Sequence, residues 1–211
     1  MPQSAHIPQI LSLLKEAYPT AGPELHFSNP YETLVAVMLS AQCTDKQVNK
    51  VTPAVFRDFP TVQDMAAIDA ATLYPYVKSC GFKSKSVNIV AACRMICEEY
   101  GGVVPSTMEE LIRLPGVGRK TANVVLCTAF GQPAIPVDTH VFRVSNRLGL
   151  AEADNVLDTE MQLRDAIPME DWSAAHHWLI WHGRRVCDAR RPACDTCPLN
   201  EVCEYHLKEH P

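Results

Sequence analysis

The stretch Leu114-Pro115-Gly116-Val117-Gly118-Arg119-Lys120 decides how this chain is read. Two glycines at alternate positions let the backbone turn tightly and keep side chains out of the way of an approaching partner. The stretch lies between two segments of helical spacing. One opens with the capping-box pattern of Ser106 and Glu109 and runs through Arg113; the other spans Arg119–Phe130 and stops at Gly131. A helix that begins straight after such a turn presents free N–H groups and the positive end of its dipole to the outside. That is a seat for an anion which reads no bases, so Gly116, Gly118 and Arg119 become candidate contacts to duplex phosphates. Lys120 falls in the first helical turn. It is either one more phosphate contact or a nucleophile whose neutral amine forms a Schiff base. Burial, the helix terminus and Arg119 would all disfavour its charged form.

Helical spacing continues outward in both directions. Ile10, Leu11, Leu13, Leu14 and Tyr18 make the apolar face of a short helix from Ile7, and Tyr31–Ser40 reads as a helix behind Asn29-Pro30. Ser86–Tyr100 closes on Gly101-Gly102, Thr139–Leu148 ends at Gly149, and Trp172–Arg185 is a further helix. Sustained alternation is absent, with Pro136-Val137 the nearest thing to a strand. Pro23, Pro60, Pro105, Pro136 and Pro168 separate the segments. The expected class is all-α, with about ten helices joined by short loops. In Pro136-Val137-Asp138-Thr139-His140, Asp138 opens a helix. It is either an N-cap or a carboxylate that supports positive charge developing on a sugar and assists proton transfer.

With 211 residues, 47% apolar and 20% charged, the chain can bury one large core or two small ones. Its net charge of −5 argues at first against a nucleic-acid partner, but the charge is uneven. Residues 151–171 hold seven acids and one base, most simply a solvated helix pair facing away from any partner, while residues 78–147 carry a net +4. No cationic stretch precedes an apolar run at the N-terminus, and runs such as Val124–Cys127 are too short to span a bilayer. The expectation is a soluble cytoplasmic protein without signal or membrane segment.

An odd count of nine cysteines fits poorly with a disulfide framework. Cys187, Cys194, Cys197 and Cys203 are spaced by six, two and five residues, enough to wrap a metal with soft thiolates. The ligand is zinc or an iron–sulfur cluster, and the wide first gap suits the larger group. That gap carries Arg190 and Arg191 on a loop pinned at both ends, which suits phosphate contact or offsets the charge of the metal site. Cys43, Cys80, Cys93, Cys97 and Cys127 read as small buried apolar residues.

Taken together, residues 114–125 (Leu-Pro-Gly-Val-Gly-Arg-Lys-Thr-Ala-Asn-Val-Val), residues 137–144 (Val-Asp-Thr-His-Val-Phe-Arg-Val) and the four-cysteine tail resemble the bacterial endonuclease III family of helix-hairpin-helix DNA glycosylases and abasic-site lyases. Leu39–Asp45 and Gly81–Lys85 resemble further segments of that family. The resemblance implies a two-lobed all-α fold: a helical domain of residues 23–133 with the hairpin, and a cluster domain of residues 1–22 plus 134–211, with a DNA cleft between. It implies a monomer, associated with the nucleoid, acting on double-stranded DNA that contains oxidised pyrimidines or abasic sites. The damaged base is flipped out of the stack, because its reacting carbon is shielded there. Lys120 then attacks the sugar and β-elimination nicks the strand on the 3′ side, with Asp138 as the catalytic aspartate. Cys187, Cys194, Cys197 and Cys203 become ligands of a structural 4Fe–4S cluster. Gln42 fills the gap left by the flipped nucleotide, and Phe82 wedges the opposite strand. Lys85, His140 and Arg143 are further candidate DNA contacts, and Asp45 lies near the site. Two rivals stand beside this reading. A sister glycosylase that removes adenine opposite oxidised guanine lacks the lysine and carries a longer C-terminal part. A DNA-binding module without catalysis would not depend on Lys120.

Overall fold

The computed structural model describes residues 6–209. Among them are twelve α-helices, four short 3-10 turns and no strand, so the fold is all-α as the spacing predicts. These residues fall into two compact units. One is Pro23–Gln132; in the other, the chain up to Gly22 packs with the chain from Pro133 onward. Helix α1 (Ile7–Ala17) belongs to the second unit.

The first unit holds α2 (Pro30–Ser40), α3 (Asp45–Asp58), α4 (Val62–Ala67), α5 (Ala70–Val77), α6 (Ser84–Glu99), α7 (Met108–Leu111) and α8 (Arg119–Ala129). Asn29 caps α2 by accepting from Glu32 N–H, and Pro30 occupies the first turn, where its missing donor costs nothing. Every residue from Tyr31 to Leu39 except Glu32 is buried, so α2 is apolar all round and forms the spine against which α3, α6 and α8 pack. Neither α3 nor α5 is foreseen in the sequence. Pro53 and Pro75 sit inside them, and each helix runs through its proline because a buried stripe holds it: Val48, Thr52 and Val55 in α3, Leu73 and Val77 in α5.

The helix before the hairpin corrects the sequence reading. Thr107, not Ser106, is the cap: its Oγ accepts from Glu110 N–H and donates to the Glu110 carboxylate, and α7 ends at Leu111 rather than Arg113. Thr107 is the residue with extended backbone, which is what a capping side chain needs.

The second unit joins α1 to α9 (Thr139–Leu148), α10 (Val156–Ala166), α11 (Trp172–Arg185) and α12 (Glu204–Glu209). Its core gathers Ile10, Leu14, Val141, Val144, Leu148, Leu163, Leu179, Leu199 and Val202. Helices α9 and α11 approach closely at Gly183, where an added Cβ would lie 3.0 Å from Val144 Cγ2. Gly149, at φ +81, ends α9 in a left-handed turn closed by Leu150 N–H on Ser145 O. The acidic stretch is one helix and a short turn rather than a solvated pair. Its Glu160 is buried, because α10 turns that side inward with Thr159 and Leu163, and Arg164 lies one turn away, 3.9 Å from its carboxylate.

Candidate functional site

The hairpin is held by its apolar residues and presented by its glycines. Leu114 and Val117 are buried, and Val117 N–H closes the turn on Leu114 O at 3.0 Å; Gly116 and Gly118 between and after them are exposed. The two glycines do different work. Gly116 has φ +77, and a Cβ there would stand 2.7 Å from Asn88 Cβ on α6. Gly118 is extended, at φ −93, and a Cβ there would meet nothing within 4 Å. Gly118 is the N-cap of α8 and has no side chain to cap that end. Arg119 and Lys120 are exposed on the same turn. The exposure of Lys120 corrects the expectation that burial acts on its amine: an opening helical turn beside a solvent-facing hairpin leaves nothing to cover it.

Gln42 and Phe82 lie in the same unit. Gln42 follows the end of α2 at φ +55, the one non-glycine residue with positive φ among the described residues, and is exposed. Phe82 is 68% exposed, an unusual position for an aromatic ring. It follows Gly81, whose φ of +113 only glycine adopts readily. Lys85 is half-buried, and its ammonium donates to Leu39 O at 2.7 Å and Cys80 O at 2.5 Å. Asp45 opens α3, capped by Thr44.

In the second unit Asp138 proves to be an N-cap. Its Oδ1 accepts from His140 N–H and Val141 N–H, both at 2.8 Å. The cap does not exclude chemistry, since it uses one oxygen of a half-buried carboxylate and leaves Oδ2 available. His140 Nδ1 lies 3.2 Å from the Arg143 guanidinium, which also donates to Gly183 O and Cys187 O. Arg143 thus braces the first cysteine of the tail.

Cys187, Cys194, Cys197 and Cys203 line one cavity together with His182, Ala193 and Tyr205. Among the described residues, no three His, Cys, Asp or Glu side chains converge as the ligands of a single ion must. Four soft thiol donors around a common cavity suit a thiophilic metal centre, an iron–sulfur cluster among them. Burial pushes the Cys197 and Cys203 thiols up, and the neighbouring cysteines add to it. Four thiolates therefore need a cationic centre to persist here. The donor set fits a 4Fe–4S cluster, which would supply that charge if Cys187, Cys194, Cys197 and Cys203 held it.

Several groups around this site are not legible in the sequence. Arg147 donates to Cys187 Sγ at 3.3 Å, Asp188 O at 2.7 Å and Ala189 O at 2.9 Å, while its guanidinium stacks on Tyr205. Its only sequence signal is its place one turn after Arg143. His182 is buried, 2.9 Å from the Tyr18 hydroxyl through Nδ1 and 3.7 Å from Cys197 Sγ through Nε2; burial pushes its imidazole down to about 4. Arg190 and Arg191 are exposed, and their backbone N–H groups cap the Asp188 carboxylate, holding it below the usual range. Of the remaining cysteines, Cys80 and Cys93 are buried as expected, whereas Cys43, Cys97 and Cys127 are only half-buried. Cys43 lies in the loop between α2 and α3, and Cys97 and Cys127 fall in the last turns of α6 and α8, where the core does not close over them.

A hairpin opening a helix and a four-thiol cavity place the protein among helix-hairpin-helix proteins with an iron–sulfur loop. Comparison with known proteins takes this further. The family described as "HhH-GPD superfamily base excision DNA repair protein" matches residues 35–169, and "Iron-sulfur binding domain of endonuclease III" matches residues 187–203. Endonuclease III of Bacillus subtilis (strain 168) is 49% identical over 200 residues, 94% of this chain and 91% of that protein. Endonuclease III of Escherichia coli (strain K12) is 46% identical over 201 residues, 95% of each. A solved structure described as a trapped endonuclease III–DNA covalent intermediate superposes with a TM-score of 0.93 at 45% identity, covering 100% of both chains. A thermostable thymine-DNA glycosylase shares the fold at 24% identity, with a TM-score of 0.85 over 96% of this chain and 97% of that one. The chain belongs to the endonuclease III family: it is a DNA glycosylase and abasic-site lyase of base excision repair with a 4Fe–4S cluster.

Proposed function

We propose that the substrate is duplex DNA carrying an oxidised pyrimidine or an abasic site, and that Lys120 is the nucleophile. The observation that carries this reading is the position of Lys120, exposed on the uncapped first turn of α8 directly after the hairpin. Backbone amides of that turn hold a phosphate, which fixes the neighbouring sugar within reach of the amine. The Lys120 Nζ lone pair attacks the anomeric carbon and the base departs with the glycosidic electron pair. The sugar ring opens to a protonated imine, loss of a proton from the adjacent carbon expels the 3′ phosphate, and water releases the enzyme. Asp138 Oδ2 supports the developing positive charge and moves a proton, while Oδ1 stays in its cap. Gln42 fills the vacated stack, Phe82 wedges the opposite strand, and Arg190 and Arg191 contact phosphates. Lys85 and Arg143 serve recognition by holding the elements that touch DNA, since both donate to backbone carbonyls, and His140, which meets Arg143 through Nδ1, adds a further DNA contact.

No helix among the described residues is long and apolar enough to cross a membrane. The protein acts as a monomer on nucleoid DNA in the cytoplasm. Support for covalent chemistry comes from the relative whose structure is described as a trapped covalent intermediate with DNA. Borohydride reduction with a thymine-glycol or abasic duplex tests the reading. The wild-type chain should form a covalent adduct and Lys120→Ala none. An equal adduct yield from the variant would overturn the assignment and leave a DNA-binding module or another nucleophile.

A further inference from the structure

Three contacts draw two loops of the first unit into one frame. One loop follows α2 and carries Gln42; the other carries Phe82 between the 3-10 turn Lys78–Cys80 and α6. Lys85 sends its ammonium to Leu39 O at the end of α2 and to Cys80 O in front of Phe82. A cation at a helix C-terminus is favoured there by the dipole, and bonds from a charged donor are the strong ones. Gln47 Nε2, in the first turn of α3 just after the Gln42 loop, donates to Ser79 Oγ at 2.7 Å in the turn before Phe82, a second tie across the same junction. The Cys43 thiol, next to Gln42, also lies against that of buried Cys80. Burial first, and Cys43 next, push the Cys80 thiol up to about 11.

Gln42 itself needs this frame. A non-glycine residue persists in the left-handed region only where its surroundings over-determine it. Here Lys85 fixes the carbonyl three residues before it, and Cys43 N–H returns to Ser40 O at 3.0 Å just after it. Were Lys85 to turn to a phosphate, it would abandon two carbonyl acceptors in a part-buried setting.

We propose that Lys85 is a positioning residue that couples Gln42 to Phe82, so that the two enter the duplex as one event. The proposal rests on the reading of Gln42 and Phe82 as inserting residues. Its physical logic is that unstacking a step costs free energy which is recovered only when both the vacated position and the opposite strand are supported. A frame that moves both side chains together avoids a half-inserted state.

The test uses the full cluster-loaded chain and a thymine-glycol duplex with 2-aminopurine beside the lesion, followed by stopped-flow fluorescence. Lys85→Met should slow the flipping phase about tenfold or more, and the slope of log affinity against log salt on undamaged duplex should stay as in the wild type. In wild type, Gln42→Ala and Phe82→Ala combined should slow flipping little more than either alone; with Lys85→Met their effects should become additive. Gln47→Ala, which removes an exposed tie, should shift flipping in the same direction by less, and keeps the test valid should Lys85→Met fold poorly. A salt slope reduced by about one, with duplex affinity lowered uniformly, makes Lys85 a phosphate contact and overturns the proposal. So does additivity of the Gln42 and Phe82 variants in the wild type. If neither Gln42→Ala nor Phe82→Ala alters flipping, the insertion reading itself is what has failed.

Discussion

Gly116→Ala and Gly118→Ala exchange the same atom two residues apart, and the structure predicts opposite consequences. At Gly116 the backbone is at φ +77, where an L-residue costs roughly 1–2 kcal/mol. The new Cβ would also stand 2.7 Å from Asn88 Cβ and 2.8 Å from its Nδ2. Asn88 Cβ is fixed to the α6 backbone and cannot swing aside, so α6 or the hairpin must shift, an overpacking cost of roughly 1–3 kcal/mol. Together these give a loss of roughly 2–5 kcal/mol, a large part of the roughly 5–15 kcal/mol that a domain has. At Gly118 the backbone suits any residue and the space is open, so Ala should change stability by no more than about 1 kcal/mol through the N-cap position. That Cβ instead stands on the exposed edge where the proposed function seats a phosphate. Urea denaturation followed by circular dichroism, beside fluorescence-anisotropy binding of an abasic-analogue duplex, separates the two. Gly116→Ala should lower the urea midpoint strongly, and Gly118→Ala should weaken binding at nearly unchanged midpoint. A Gly116→Ala protein as stable as wild type would falsify the strain argument, and tight binding by Gly118→Ala would remove the role of that edge.

Asp138→Asn should keep the N-cap, since Asn caps as well as Asp, and should abolish most lyase activity at near-native stability. Asp138→Ala should lose both, with about 1 kcal/mol lost from folding; comparing the two by denaturation and strand-nicking assays divides cap from chemistry. Cys194→Ser should lose the brown cluster absorbance and lower the stability of the second unit, because metal binding there is folding energy; a variant with full iron content would contradict the ligand set. Arg147→Met should hold its iron roughly 10–100-fold less tightly in chelator competition, as the bonds to Cys187 Sγ, Asp188 O and Ala189 O disappear. Burial pushes Cys93 up to about 12 from the ordinary value of 9.0, so peptide mapping after iodoacetamide at neutral pH should find it far less alkylated than half-buried Cys43. The same shift gives stability that is full below about pH 9 and is lost as pH rises toward 12, because the unfolded thiol ionises first.

What could be read from the sequence follows from how far apart the interacting residues lie. The hairpin and the tail cysteines are each contained in a short stretch, so glycine spacing and thiol spacing suffice to find them. Helices such as α6 and α9 announce themselves by apolar periodicity. Helix α3 carries such spacing too, in Val48, Val51, Val55 and Phe56, but Pro53 reads as a break within it; burial of Val48 and Val55, with α3 packed on α2 and α5, decides the matter. Tertiary partners were the illegible part. Lys85 looks like a surface lysine until Leu39 O, 46 positions away, is found to hold its ammonium. The pairing of His182 with Tyr18 spans 164 positions, and no local pattern encodes it. Charge was legible only as a distribution: the acidic total is set by residues 151–171, and even there Glu160 turned inward.

The second unit is built from both ends of the chain, with the first unit inserted between α1 and α9. During synthesis this imposes an order of events. Residues 23–132 are contiguous and can collapse as soon as they leave the ribosome. Helix α1, made before the inserted unit, has its apolar face of Ile10, Leu11 and Leu14 without a lasting partner until α11 is translated, and Cys203 follows after that. Iron loading therefore comes after α11 has been made, and a nascent chain that stalls before the cysteine segment holds a folded hairpin unit beside an unsatisfied helix α1. That intermediate, rather than the finished enzyme, is the form in which aggregation or proteolysis would take its toll.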